Sequence, residues 1–248
     1  MNVLVTGRHT GKLENLIQEI PDLKLCSESP DLVITHGGDG ALLGAERCYP
    51  GIPKLPVRDA ETAPLCPEHS SISKLLADML AGKLRKTQLM KITGCDKQGN
   101  SVSGINDVFI HNLDRTGALR YQVAIDNELY ADEIIGDGVG VATVHGSTAY
   151  YRSITHSIFK IGIGLAFSNS TEVTNHLVLP EDTDISIKII RGPAIMVADN
   201  GSDQIQLKEG DTVNIRKADT AAYIYGLSWF MCPVCRKLRH SQYRYSSS

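Results

Sequence analysis

One carboxylate set among three glycines, Gly37-Gly38-Asp39-Gly40, is the part of this chain whose residue types most directly suggest chemistry. An apolar run, Asp31-Leu32-Val33-Ile34-Thr35-His36, leads into it, and an amphipathic run, Ala41 to Cys48, follows. Strand, glycine turn and helix N-terminus together make a phosphate-binding device: the first-turn N–H groups lack partners and the helix dipole adds positive potential. Asp39 is the odd member, since a carboxylate repels phosphate. Its placement suggests a general base or a metal contact.

Three further segments carry polar groups in apolar surroundings. In Ile105-Asn106-Asp107-Val108-Phe109-Ile110 a polar pair interrupts a strand pattern, so it faces a partner or ligand, or is satisfied by backbone at a bulge. In Asp137 to Tyr150 a strand runs to Val144, Gly146 permits close backbone approach, and Ser147 or Thr148 can cap a helix. That is either a second anion site or a structural cap. In Ala198-Asp199-Asn200-Gly201-Ser202 the Asn-Gly pair reads as a hairpin turn, and this suffices by itself.

The basic residues nearest the glycine motif are Lys54 and Arg58. Arg58 reads as an exposed surface residue, or else as a neutraliser of phosphate charge. His145 is a candidate contact to phosphate or hydroxyl, and His36 reads as a strand end. Of six cysteines, Cys232 and Cys235 have the spacing of a redox pair or half a zinc site. No second Cys-x-x-Cys exists, and His240 with one distant cysteine would complete four ligands only through the fold. The reading is free thiols, with no metal ligands assigned.

The elements that must position these groups fall into two textures. Residues 1–85 alternate short strands (Asn2–Thr6, Leu32–Thr35, Ile52–Val57) with helical patterns (Gly11–Ile20, Ser70–Ala81), an α/β domain. From 86 to 230 short β runs dominate: Lys86–Ile92, Gly104–His111, Leu119–Ile125, Ile185–Ile190, Ala194–Ala198, Ile205–Leu207, Thr212–Ile215 and Ala221–Ile224. They suit an all-β sandwich, with Ser147 to about His156 as its helix. Residues 231–248 form a polar tail.

A net charge of −3 with dispersed Lys and Arg argues against nucleic acid as a partner. No apolar run approaches the ~18 residues of a membrane span. The start of the chain lacks a basic n-region and a cleavage site, so the expected location is the cytoplasm.

Taken together, these segments resemble the NAD kinase family. Gly-Gly-Asp-Gly, the Asn-acidic pair, Asp-Gly…Gly-Ser-Thr-Ala-Tyr and a late Asp/Asn-Gly turn before Leu-x-x-Gly-Asp occur in that family's order. Gly-Ser-Thr-Ala-Tyr is the most specific of them. The resemblance implies an α/β N-terminal domain joined to a β-sandwich that binds dinucleotide. It implies Asp39 as the base for the acceptor hydroxyl, and Gly37, Gly38 and Gly40 as the loop admitting phosphates. It implies Asn106 and Asp107 as the pair holding ribose or base, and Asp137 as the opening of the second motif. Gly146, Ser147, Thr148, Ala149 and Tyr150 would line the dinucleotide pocket, with His145 and Ser153 beside it. The implied reaction moves a phosphoryl group from ATP, with Mg²⁺, to the 2′-hydroxyl of the adenosine ribose of NAD, giving NADP. The implied assembly is a homodimer or homotetramer.

The chain departs from that family's pattern around the expected pocket. Ala41 stands where Thr is usual, Asp107 where Glu is usual, and His145 where Thr is usual. Pro53 to Thr62 keeps none of the family's Gly-x-Asn-x-Gly-x-Leu-Gly-Phe segment, and Thr155-His156-Ser157-Ile158 replaces a Gly-Gly-Pro. Two alternatives therefore stay open: a kinase of the same superfamily acting on another hydroxyl (nucleoside, sugar or lipid), and a non-catalytic nucleotide-binding module.

Overall fold

All five residues of Leu32–His36 are buried, so this strand has a covered surface on both faces. The computed structural model describes residues 1–61 and 64–238, and in it the chain forms two units. The sequence readings that touch residues 62–63 and 239–248, including His240 and the tail Ser241–Ser248, lie outside the described residues.

The first unit holds β1 (Asn2–Gly7), α1 (Gly11–Gln18), β2 (Lys24–Leu25), β3 (Leu32–His36), α2 (Asp39–Cys48), β4 (Lys54–Val57) and α3 (Ile72–Leu80). Its strands run parallel in the order β2-β1-β3-β4. Strand side chains alternate between faces, which separates two helix layers. Leu32, Ile34 and Leu55 pack with Leu13 and Ile17 of α1 and Leu75 and Leu76 of α3. Leu4 and Val33, on the opposite face, pack with Ala45 of α2. Ser71 caps α3 by accepting from the Lys74 N–H, which fixes its start.

The second unit holds β5 (Lys86–Asp96), β6 (Ser101–Gly104), β7 (Asp107–Asn112), β8 (Leu119–Ile125), β9 (Glu128–Gly136), β10 (Gly138–Ala142), α4 (Tyr150–Thr155), β11 (Ile163–Ser168), β12 (His176–Leu179), β13 (Ile185–Arg191), β14 (Ala194–Ala198) and β15 (Ile205–Leu207). One antiparallel sheet runs β12-β11-β10-β7-β14-β15. The facing sheet contains β9, β8 and β13, with β13 paired to the start of β16 (Thr212–Tyr225). Val108, Val141 and Phe167 from one sheet meet Tyr121, Val123, Ile187 and Val213 from the other in one core. This is the sandwich the sequence suggests.

Four differences from the sequence reading have physical causes. The two short strands expected at 212–215 and 221–224 are one strand, β16. Its last part leaves the sandwich: the chain returns to the first unit at Ala222, and Ile224 pairs parallel with Lys54. A four-residue helix, α5 (Leu227–Phe230), follows there, so the segment 222–230 sits with the α/β unit. Strand β9 escaped notice because most of its residues are exposed and it lacks a clean apolar alternation. The helix expected from Ser147 is a 3₁₀ turn, Gly146–Thr148, followed by α4, and neither Ser147 nor Thr148 caps it. Their hydroxyls instead donate to the carbonyls of Val144 and His145.

Among the described residues no helix is long and apolar enough to cross a membrane. A buried ion pair ties α2 to β4: the Lys54 ammonium, fully buried, meets the Glu46 carboxylate and donates to the Tyr49 carbonyl at 2.6 Å. Removing one partner leaves an uncompensated buried charge, a loss of roughly 3–5 kcal/mol. Lys54→Met should therefore lower the urea-unfolding free energy of the full chain by about that amount. Adding Glu46→Leu should recover most of it, and a single variant of wild-type stability would refute the pair's role.

Candidate functional site

In the first unit a candidate site lies at the C-terminal ends of parallel strands, where sheets of this class open a crevice. The order β2-β1-β3-β4 reverses between β1 and β3, and both strands end in glycine turns. Gly7 has φ +124°, and a Cβ there would lie 2.1 Å from the His36 carbonyl oxygen, so only glycine fits. Gly37 also has positive φ, +141°, and its N–H donates to the Val57 carbonyl at 2.8 Å. The chain then enters α2 through Gly38, with no side-chain cap. Gly38, Asp39 and Gly40 are exposed, and Asp39 sits in the first helical turn.

Asp39 is held by an unexpected partner. Arg58 is not an exposed surface residue: its side chain is 7% accessible against 61% for Asp39. Its Nη2 donates to Asp39 Oδ1 at 3.2 Å, and its guanidinium carbon lies 3.7 Å from the centre of the Phe230 ring. Its Nε reaches the Phe230 carbonyl at 3.4 Å. The ring and the carbonyl come from the far end of the sequence, which is why local reasoning missed this burial. Lys54 is also withdrawn from any phosphate, because Glu46 occupies it.

Beside the glycine turns is a cavity of about 590 Å³ lined by His9, Lys12, His36, Asp59 and Glu61 among others. That is the size of a small-molecule pocket. Asp59 is buried, accepts from the Glu61 N–H at 2.9 Å and meets His9 Nδ1 at 3.2 Å. His36 Nδ1 lies 2.6 Å from the Arg8 carbonyl, so that nitrogen carries the proton. His9, Lys12, Asp59 and Glu61 were not singled out from sequence. Their common signal is position just after strands β1 and β4.

A separate candidate cluster lies in the sandwich and is organised by a residue read only as part of a turn. Asp199, itself at φ +51°, accepts from three successive N–H groups: Ile105 at 2.9 Å, Asn106 at 2.7 Å and Asp107 at 3.3 Å. This pulls residues 105–106 out of the ladder and breaks the single strand expected over 104–111. Gly146 packs so closely on that turn that a Cβ would lie 2.0 Å from the Asn106 carbonyl oxygen. Thr143 ties the two segments together, donating from its hydroxyl to the Ile105 carbonyl at 2.6 Å and accepting from the Gly146 N–H. Asn106, Asp107, Gly146 and Ser147 are thus one constellation.

Thr148, Ala149, Tyr150 and Ser153 follow on an exposed surface, the Ser153 hydroxyl bonded to the Tyr150 carbonyl at 2.7 Å. The Tyr150 ring meets Phe109 at 4.8 Å and His111 at 5.6 Å, forming an aromatic group next to that surface. His145 is half-buried at the start of the 3₁₀ turn. Asp137 does not join them. It precedes β10, and the constellation follows that strand, so they sit at opposite ends; its carboxylate accepts from the Asn169 amide at 2.9 Å.

Burial drives the Asp107 carboxyl up to about 7, assisted by the neighbouring Asp199 charge. Asp199 is raised by burial too, against the three N–H bonds that favour its charge.

The residues 105–227 match the family model for the ATP-NAD kinase C-terminal domain. An NAD kinase of Koribacter versatilis is 30% identical over 235 residues, 89% of this chain and 81% of that protein. One of Nitrosomonas europaea is 26% identical, covering 98% of this chain and 82% of its own length. Among solved structures, yeast NADH kinase complexed with NADH superposes with a TM-score of 0.76 at 19% identity, covering 91% of this chain and 83% of that one. An Archaeoglobus fulgidus NAD kinase in complex with ATP gives 0.74 at 17% identity, covering 95% and 99%.

The raised acidity constant of Asp107 sets a pH dependence. A carboxyl that ionises later in the folded state stabilises the fold while protonated. That contribution is full below the unfolded value near ~4 and is lost as pH rises through about 7. Asp107→Asn should flatten the fall in unfolding free energy across that interval, read from urea midpoints at several pH values. A variant with the wild-type slope would contradict the burial argument.

Proposed function

Since this chain belongs to the NAD kinase family, we propose that it transfers the terminal phosphoryl group of ATP to the 2′-hydroxyl of the adenosine ribose of NAD, giving NADP and ADP. The observation that carries this reading is Asp39: an exposed carboxylate in the first turn of α2, behind an open glycine loop and aimed by Arg58. Phosphoryl transfer asks a protein for positioning and charge neutralisation more than for covalent help. The loop Gly37–Gly40 lets backbone donors approach phosphate oxygens. Asp39 takes the proton as the ribose oxygen attacks phosphorus, and ADP leaves with the electrons of the broken P–O bond. Asn106 and the exposed Thr148–Tyr150 surface, backed by Phe109 and His111, hold the dinucleotide. Asp107, whose carboxyl is raised to about 7 by burial, is present in both protonation states near neutral pH and donates or accepts a hydrogen bond there.

A divalent cation fits this arrangement, because Mg²⁺ binds through one or two carboxylates together with substrate phosphates. Asp39 would hold it, and it would neutralise the charge on the phosphate chain.

A second reading is a kinase of the same superfamily with a different acceptor. It is favoured by the segment after β4, where Arg58 and Asp59 are buried and Ala60 and Glu61 line the cavity in place of a glycine-rich stretch.

Incubating the pure chain with ATP, Mg²⁺ and, separately, NAD, NADH and a panel of nucleosides and sugars distinguishes the two. NADP formation is expected; another phosphorylated product supports the second reading, and tight binding without turnover defeats both. Asp39→Asn should fold with near-normal stability and lose about 10²–10⁴-fold in turnover, the usual worth of a general base. A fully active Asp39→Asn would remove the base assignment.

A further inference from the structure

Cys66, His69, Cys232 and Cys235 place one ligand atom each within 4.8 Å of one another. All four belong to the first unit. Cys66 Sγ lies 3.5 Å from Cys235 Sγ, and His69 Nδ1 lies 3.2 Å from Cys66 Sγ and 3.6 Å from Cys235 Sγ. A tetrahedral zinc ion with Zn–S near ~2.3 Å and Zn–N near ~2.05 Å has S···S edges of about 3.8 Å and S···N edges of about 3.5 Å. The observed separations are those of such a tetrahedron before the ion draws it to final size. The sequence shows only the Cys232-x-x-Cys235 half. The other half is Cys66-x-x-His69, on a 3₁₀ turn (Pro67–His69), and a search for a second cysteine pair passes over it.

We infer that Cys66, His69, Cys232 and Cys235 form a structural zinc site. Four protein ligands close the coordination shell and leave no open position for substrate. The surroundings suit thiolates. The Cys66 N–H donates to Cys235 Sγ at 3.3 Å, and the Cys232 sulfur accepts from the N–H groups of Val234 and Cys235 at the start of the helical residues 233–238. Three thiolates around Zn²⁺ leave one net negative charge, which those donors offset. The His69 ring packs edge-on against Trp229 at 5.1 Å, which fixes its orientation. A redox role for Cys232 and Cys235 fits worse, since both are buried and out of reach of an exchanging thiol.

The ion has a mechanical task. It fastens the segment carrying α5 to the loop following β4. Phe230, two residues before Cys232, is the ring on which Arg58 rests, and Arg58 aims Asp39. Zinc therefore positions the candidate base from a distance, without touching substrate.

The test is elemental analysis of the full chain, expressed with added zinc and purified without chelator. One zinc per chain is expected. Cobalt substitution should give the intense visible d–d bands and thiolate charge-transfer absorption of a tetrahedral site. Cys235→Ser should carry almost no zinc, while Cys95→Ser, whose thiol lies in the sandwich, should keep its full complement. If Cys235→Ser does not fold, the wild-type metal count and cobalt spectrum decide. A folded wild-type chain without metal, a disulfide between Cys66 and Cys235, or undiminished zinc in Cys235→Ser would overturn the site. None of these readouts depends on which hydroxyl compound is phosphorylated.

Discussion

Arg58 is the residue on which the glycine-loop half of the site depends. A guanidinium cannot be left bare in a protein interior, and burying it without partners costs several kcal/mol. Among the described residues its partners include the Phe230 ring, the Phe230 carbonyl and Asp39. Two of these come from the returning C-terminal segment, so that segment must close over β4 before the cation is satisfied. Only a planar cation can rest on a ring and fork to a carboxylate at once, which a lysine ammonium does not reproduce. The consequence is directional: Arg58 is held from behind by Phe230 and donates forward to Asp39.

The sandwich half repeats this logic with the charges exchanged. Asp199 gathers three backbone N–H groups and holds the turn that carries half-buried Asn106 and buried Asp107. Gly146 then allows the second motif to lie against the turn, and Thr143 stitches them with two hydrogen bonds. In both units an ionic side chain, buried Arg58 in one and half-buried Asp199 in the other, shapes a polar loop at the end of a strand. The surrounding strands are rigid and apolar, and the loops they carry are precise because one charged side chain leaves them a single arrangement.

Residues whose roles are set by near neighbours were legible in the sequence. The glycine loop, the β3–α2 step and the strands at 119–125, 194–198 and 205–207 all follow from local pattern. What stayed hidden was set by partners distant in sequence. Arg58 looked exposed because Phe230 lies 172 positions away. Asp199 looked like an ordinary turn residue because its three donors lie more than 90 positions upstream. Cys66 and His69 looked unremarkable because the thiols that complete their cluster stand near the opposite terminus. Strand β9 was lost for another reason: an exposed edge strand need not alternate, so periodicity carries no signal there.

The contrast in exposure between Arg58 and Asp39 bears on how such a site can work at all. The base role proposed for Asp39 requires it to reach substrate, which its exposure allows, but an open carboxylate on its own samples several rotamers. Fixing it by burial would remove it from the substrate; fixing it through a second surface residue would cost the side-chain entropy of both and gain little in water. A buried arginine resolves the conflict, because its own entropy has already been lost in packing against Phe230. Asp39 then needs to order only itself. The helix start carries no side-chain cap. Gly38, which has no side chain, stands at the helix N-cap, so the surroundings of Asp39 are set by backbone and by Arg58.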